Sequence, residues 1–389
     1  MIKAVDSLRG ALIMKNEVMG GSRMTGFIFN IRMKCFLAAF AGALVVSLAA
    51  CGDATLDANF VPENVDVIMV TDERGLGDMA FNDECWEGCE RAADEFGINV
   101  YCIEPESSEM YASKINEAVG MEPKLIICSG ADMEYALMDI AAQNPEMKFA
   151  IMDTNEIGDN VAGITFRDQD GAFLAGIAAA MSTESKIVSF IGGEQSVVAD
   201  AFQYGFSAGV ATVASDIYIN TQYVGNTTDT DAARMLARAH EALGSDVIFQ
   251  AAGAAGIAVI EAVQGHEGVM VIGTDIDQSY IAEDTVLCSV VKKADVAVFD
   301  VISKMVNGTF DGSDTVYTLA DGAVGISDNA GNLSEDAQTA IEEYMAKITD
   351  GEIVVPYDWQ SWYDYTQALS SGGAGVTVDE GTAGDADEI

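Results

Sequence analysis

The chain has 389 residues, with 19 Lys and Arg against 62 Asp and Glu, a net charge of −43 and half of its residues hydrophobic. That balance excludes nucleic acid as a partner, because phosphate backbones are held by clustered basic side chains. Acidity otherwise favours solubility and repels polyanions, and the length allows one large domain or two of medium size.

Residues 1–32 carry Asp6 and Glu17 and little apolar character, so Met33-Lys34 makes the better natural start. The 16 residues "CFLAAFAGALVVSLAA" (35–50) follow without a charge. A basic lead, an apolar core and small residues at the exit describe a secretory signal, and the run is short of the roughly 20 residues of a spanning helix. Leu48-Ala49-Ala50-Cys51 has the form of a bacterial lipobox. It predicts cleavage before Cys51 and lipidation there, with two acyl chains sufficing for stable anchoring. Residues 1–50 hold 6 basic and 2 acidic residues, which leaves 13 and 60 and a net charge of −47 in the mature part. Residues 52–64 then form a tether reaching at most about 45 Å from the membrane. The expected location is the extracytoplasmic face of the cell membrane.

Short apolar runs rich in β-branched residues recur from residue 65 onward. The first set is 65–70, 99–103, 125–128, 149–152 and 161–164; the second is 187–191, 218–223, 246–249 and 269–272, followed by 286–291 and 322–326. Helical patterns lie between them. Phe81, Cys85, Cys89, Ala92 and Phe96 share one face, and further helices are predicted over 131–143, 171–181, 199–214, 229–243, 255–263 and 294–307. Alternating strands and helices predict an α/β fold with parallel sheets covered on both faces. The series is doubled: Gly192-Gly193 follows the first strand of the second set as Gly75 and Gly77 follow that of the first. Two Rossmann-like lobes would place a ligand between them, at the C-terminal ends of the strands.

The first turn has two readings. Gly75-Leu76-Gly77-Asp78-Met79-Ala80 after a strand, with Glu104 ending the next strand, is the shape of a dinucleotide-binding turn. Against this, Asp78 would repel a pyrophosphate, and an extracytoplasmic chain meets no NAD pool. No G-x-S-x-G, H-E-x-x-H or G-x-x-x-x-G-K-[ST] pattern occurs, and no pair of histidines is placed for acid–base work. No enzyme, cofactor or metal is expected. Cys85, Cys89, Cys102, Cys128 and Cys288 sit in apolar or helical runs and are expected as buried thiols.

Several strands end in polar groups that a parallel sheet would gather at one edge: Asp72 and Asp78, Asp132, Asp153, Gly253, Asp275 and Asp277, and Lys292. Asp78 and Asp132 could equally be helix caps, and Phe202 could equally be core. Lys292 facing Asp275 would suit a ribose or sugar diol, since a hydroxyl bonded to a carboxylate is worth about 1.5–3 kcal/mol. Phe81 and Phe202 could sandwich a flat ring.

The string "TDERGLGDMAFNDECWEG" (71–88) resembles the opening signature of the basic membrane protein family of substrate-binding lipoproteins. Thr71, Asp72, Gly75, Asp78, Phe81, Asn82, Trp86, Glu87 and Gly88 fall on that pattern. The resemblance continues through "KFAIMD" (148–153), "NVAGITFRDQDGAFLAGIAAA" (160–180), "FIGGEQ" (190–195), "FQYGFSAGV" (202–210), "DVIFQAAGAAGIAV" (246–259), "VIGTDIDQ" (271–278) and "SVVKKADVAV" (289–298). It implies a type I periplasmic-binding fold with a three-crossing hinge, and a monomeric receptor that delivers a purine nucleoside to an ABC permease. It also implies that the base stacks on Phe81 near Asn82 and Asp78, that Asp275 and Lys292 hold the ribose, and that Gly253 lets backbone approach. Asp132, Asp153 and Phe202 extend the expected site. Met79 and Ala80 replace a lysine and a serine of the pattern, and the proline after its Gly-Gly block is absent. The same fold could instead take a sugar or a small signalling molecule, and an adhesin role has no residue in its favour. The expected organisation is 1–50 signal, 51–64 tether, 65–166 lobe 1, 167–273 lobe 2, 274–309 lobe 1 again, 310–356 lobe 2 again, and 357–389 an aromatic segment and acidic tail. Crossings are expected near 166–168, 273–275 and 308–312.

Overall fold

The computed structural model describes residues 64–371 except Glu156. The signal run, Cys51, the tether and the acidic tail lie outside the described residues. Twelve strands and ten helices are described, set in two six-stranded sheets.

The first sheet has β1 (Val67–Val70), β2 (Val100–Ile103), β3 (Leu125–Cys128), β4 (Phe149–Met152) and β5 (Val161–Phe166), joined by β11 (Thr315–Tyr317), in the order β11-β5-β4-β3-β1-β2. The second has β6 (Ile187–Gly192), β7 (Tyr218–Tyr223), β8 (Val247–Ala251), β9 (Met270–Asp275) and β10 (Val286–Lys292), joined by β12 (Val324–Ser327), in the order β12-β10-β9-β8-β6-β7. All pairings are parallel except β10 with β12. β1, β3 and β4 are buried at every residue, which is why they read as unbroken apolar runs and not as alternations.

The helices are α1 (Phe81–Phe96), α2 (Tyr111–Gly120), α3 (Glu134–Gln143), α4 (Asp168–Ser182), α5 (Val197–Val213), α6 (Thr230–Ala242), α7 (Gly256–Val263), α8 (Ala294–Val306), α9 (Glu335–Thr349) and α10 (Trp359–Ser370). The two strand orders superpose term by term, so β4 corresponds to β9 and β5 to β10. The helix contacts repeat as well. A Cβ on Gly88 of α1 would lie 2.5 Å from the Asp295 carbonyl of α8, and one on Gly205 of α5 would lie 2.4 Å from the Gln169 carbonyl of α4. In each lobe a helix that leaves a crossing presses its backbone against the glycine of the helix that follows the first strand.

Two expected boundaries are corrected. The second crossing was expected at 273–275, but β10 pairs with β9 along Val286–Val291, so the chain stays in lobe 2 through Lys292. The third was expected at 308–312, but β11 still belongs to lobe 1, and the crossing runs from Tyr317 to Ala323. The first crossing falls at Phe166–Asp168, within the expected range. The crossings are tied to one another: the Arg167 amide donates to the Tyr317 carbonyl at 2.9 Å, and the Lys293 amide to the Ala323 carbonyl at 2.8 Å.

The aromatic segment forms α10, capped by the Asp358 carboxylate on the Ser361 amide. Its Tyr365 is buried and shares a 2.8 Å hydrogen bond with Thr212 of α5. Cys85, Cys89, Cys128 and Cys288 are buried free thiols, and Cys102 is half-buried.

Candidate functional site

The strand ends of both lobes face a cleft with a volume of about 640 Å³. Phe81, Asp132, Asp153, Phe202, Gly253, Asp275 and Lys292 all line it, as do Arg74, Tyr135, Glu194 and Thr227.

Two carboxylates hold equivalent places in the two lobes. Asp153 directly follows β4 and Asp275 ends β9, and both have left-handed backbones, with φ of +66° and +68°. Asp tolerates that region better than most residues, yet such positions still cost about 1–3 kcal/mol and persist where the surroundings fix them.

Lys292 lies between the lobes, at the end of β10, with its side chain 2 % exposed. Its Nζ is 2.7 Å from Asp153 Oδ1 and donates to Asp168 Oδ2 at 3.2 Å. It also faces the rings of Phe81 and Phe166, 4.8 and 4.9 Å from their centroids. Burial alone would lower its pKa, but the charges of Asp153, Asp168 and Asp275 outweigh that and push it up. Sequence reasoning paired this lysine with Asp275. Its contacts are instead with Asp153 of lobe 1 and Asp168 of the first crossing. Asp275 is raised to about 6 by burial, against the opposing pull of Lys292 and Arg74. Asp168 is also raised by burial, with Lys292 restraining it.

Phe81 opens α1, is buried, and lines the cleft with Lys292 over its ring. Phe202 does both things left open for it: its ring packs edge-on against Phe249 at 6.2 Å and also lines the cleft. Asp132 sits in a single 3₁₀ turn, Ala131–Met133, and its carboxyl is raised by burial and by the charges of Glu73, Asp72 and Glu194.

Asp78 and Asn82 are not among the lining residues. The Asp78 carboxylate accepts from the amides of Ala80, Asn82 and Asp83 at 3.0–3.2 Å, so it caps α1. Asn82 is fully buried, donating to Asp72 Oδ1 at 2.8 Å and accepting from Ser129 Oγ at 2.6 Å. In this structure the polar groups of both are taken up within the turn and by its neighbours Asp72 and Ser129.

Sequence reasoning missed Arg74. Its Nε donates to Asp72 Oδ2 at 2.7 Å, its Nη2 is bonded to the same oxygen, and its Nη1 points across the cleft at Gly253. A Cβ on Gly253, whose φ is +56°, would lie 2.6 Å from that nitrogen. The close approach this glycine permits in the structure is therefore that of Arg74. The available signal was the rarity of basic residues, since a lone Arg in the strand-to-helix turn of so acidic a chain is conspicuous.

The dinucleotide reading fails at the turn itself. The Glu104 carboxylate accepts from the Leu76 amide at 2.7 Å and lies against Gly75. An acid of the protein thus occupies the amide that a pyrophosphate would need.

The family model described as ABC transporter substrate-binding protein PnrA-like (Bmp) matches residues 65–358. The chain is 35% identical over 337 residues to a CD4+ T-cell-stimulating antigen of Listeria monocytogenes serovar 1/2a, covering 80% of this chain and 94% of that protein. It is 33% identical over 345 residues to an ABC transporter nucleoside-binding protein, BmpA, of Lactococcus lactis subsp. cremoris, covering 82% and 97%. A crystal structure of an ABC transporter solute-binding protein from Aeropyrum pernix K1 superposes with a TM-score of 0.72 at 26% identity, covering 80% of this chain and 98% of that one.

Proposed function

Because this chain belongs to the Bmp family of PnrA-like substrate-binding proteins of ABC transporters, which is non-catalytic and has the type I periplasmic-binding fold, we propose that its solute is a purine nucleoside. The observation that carries this reading is the cleft's pairing of the buried Phe81 and Phe202 with an excess of carboxylates. Phe81 and Phe202 offer apolar walls for a flat ring. Asp132, Glu134, Asp153, Glu194 and Asp275 outnumber Arg74 and Lys292, so a neutral ligand rich in hydroxyl and N–H donors is favoured and an anion is not. The name of the Lactococcus relative points the same way.

Purine nucleosides at a hundred times their Kd should add about 2.7 kcal/mol of stability, raising Tm by roughly 4 °C. If no nucleoside shifts melting while a free sugar does, the solute is a sugar, the second reading that a carboxylate-rich cleft supports. Ultraviolet absorbance released from the purified protein on denaturation separates the two, because a purine absorbs and a sugar does not.

Affinity should depend on pH through Asp275. As a carboxylate it accepts hydroxyls, and it protonates as the pH falls through about 6. Binding should weaken between pH 7 and 5 in calorimetric titrations, and Asp275→Asn should bind weakly with a flat profile. The sign for folding is opposite. A carboxyl whose folded pKa is raised binds more protons in the folded state, so this group costs stability as the pH rises from about 4 through about 6.

The lobes would close over the solute about the three crossings and present the closed form to the permease. Among the described residues no helix is long and apolar enough to cross a membrane. Anchoring is assigned to a lipidated Cys51 on the extracytoplasmic face. Cys51→Ser should move the protein from the membrane to the soluble fraction, and continued membrane association would refute the anchor.

A further inference from the structure

We propose that Arg74 makes the cleft selective for 6-oxopurine nucleosides, such as inosine and guanosine, over 6-aminopurine ones. This inference rests on the nucleoside reading above and adds a choice among nucleosides.

Arg74 lies in the turn between β1 and α1 and lines the cleft. Its position is fixed from behind. Ser129 donates to Asn82 at 2.6 Å, and Asn82 donates to Asp72 at 2.8 Å. Asp72 in turn takes the Arg74 backbone amide at 2.9 Å and the Arg74 Nε at 2.7 Å. Asn82 and Ser129 are completely buried and Asp72 nearly so, so the plane of the guanidinium is set by a chain of groups that solvent does not reach. This gives Asn82 a positioning role, exerted through Asp72.

The Asp72 carboxylate takes Nε and Nη2 through one oxygen. The second edge of the guanidinium, formed by Nη1 and Nη2, is left toward the cleft, where Nη1 faces Gly253. That edge carries two N–H donors and no acceptor. Lys292 is already committed to Asp153 and Asp168. Arg74 therefore supplies the cleft's fork of donors, among lining groups that are mostly acceptors.

A fork of two donors is matched by two adjacent acceptors. The O6 and N7 of a 6-oxopurine are such a pair, and an Arg bonded to both is the commonest specific contact to guanine in duplex DNA. A 6-aminopurine sets an N–H₂ donor beside N7, so one donor of the fork would meet another donor. The 6-oxo form also carries an N1–H, absent from the 6-amino form, which suits a carboxylate such as Asp132 in the same cleft. Both kinds of nucleoside are neutral and share the ribose, so net charge and the ribose contacts do not distinguish them.

The test is the ratio of Kd values for adenosine and inosine, measured calorimetrically on the intact chain and on Arg74→Lys. The lysine keeps a cation against Asp72 and loses the fork. The wild type is expected to favour inosine by roughly tenfold or more, and Arg74→Lys to bring the ratio to within about threefold. Should Arg74→Lys fold poorly, the paired change Arg74→Met with Asp72→Asn removes both charges together and is expected to give the same levelled ratio. A wild type that binds both nucleosides equally or prefers adenosine, or a ratio unchanged by either variant, overturns the inference and leaves the nucleoside reading standing. Failure of every nucleoside to bind overturns both.

Discussion

Replacing Lys292 with methionine should cost the protein about 3–5 kcal/mol and remove ligand binding. Methionine has nearly the length of lysine, so the loss is of charge rather than of volume. The ammonium is buried against Asp153 and Asp168, with Asp275 near enough for its charge to act on it. Without it, buried carboxylates face one another with no cation between them, and each must either be desolvated as an anion or take up a proton. The surrounding structure already pushes Asp168 and Asp275 toward protonation, with Lys292 the charge that restrains both. The loss should therefore depend on pH. Carboxyls with raised folded pKa values bind more protons folded than unfolded, so the variant loses stability as the pH rises from about 4 through those values. Urea melts should show the deficit to be smaller at pH 5 than at pH 8. A deficit below about 1 kcal/mol, or one independent of pH, would mean that Lys292 is not the counter-charge of this cluster.

Gly209→Ala should destabilise the protein by about 2 kcal/mol, although alanine is the better helix former by about 1 kcal/mol. The two effects oppose, and geometry decides between them. A Cβ at Gly209 of α5 would lie 2.1 Å from the Phe173 carbonyl oxygen of α4, and one at Gly176 of α4 would lie 2.2 Å from the Phe206 carbonyl of α5. Both obstacles are backbone, which no change of rotamer can clear, so the helices must part. The damage should reach the cleft, because α4 begins at Asp168 and α5 carries Phe202. Gly120→Ala is the control. A Cβ there meets nothing within 4 Å at the end of α2, and the same substitution should be neutral or mildly stabilising. Equal effects at the two sites in thermal melts would show that backbone contact between α4 and α5 does not govern stability.

Eleven of the twelve strands were legible, because a buried parallel strand has to be apolar throughout, as β1, β3 and β4 are, whereas β11 has three residues of which only Tyr317 is buried and was missed. The crossings were not legible, because they depend on which strand pairs with which. An apolar run such as Val286–Val291 fits either sheet, and only its pairing with β9 places it in lobe 2. Three helices were missed, α2, α9 and α10. Each rests on the surface with few buried residues, such as Tyr111, Ile115 and Ala118 in α2, which is a thin apolar stripe to read.

At the site, strand ends could be located from the pattern, and that sufficed to bring Asp153, Asp275 and Lys292 to one cavity. The orientation of a turn could not. Asp78 and Asn82 have the residue types of ligand contacts, but local amides and Asp72 take up their polar groups. Arg74 and Asp168 went unread because their partners, Asp72 and Lys292, are fixed by the turn and by the folded crossing.

Aromatic walls and an excess of carboxylates should make the cleft a site for a neutral purine nucleoside. Calorimetric titration of the protein with one purine nucleoside and with its 5′-monophosphate tests this most directly. The nucleoside should bind at micromolar Kd or tighter and the monophosphate about a hundredfold or more weaker, since a dianion would enter a cleft that already carries excess negative charge. Equal or tighter binding of the monophosphate would contradict it.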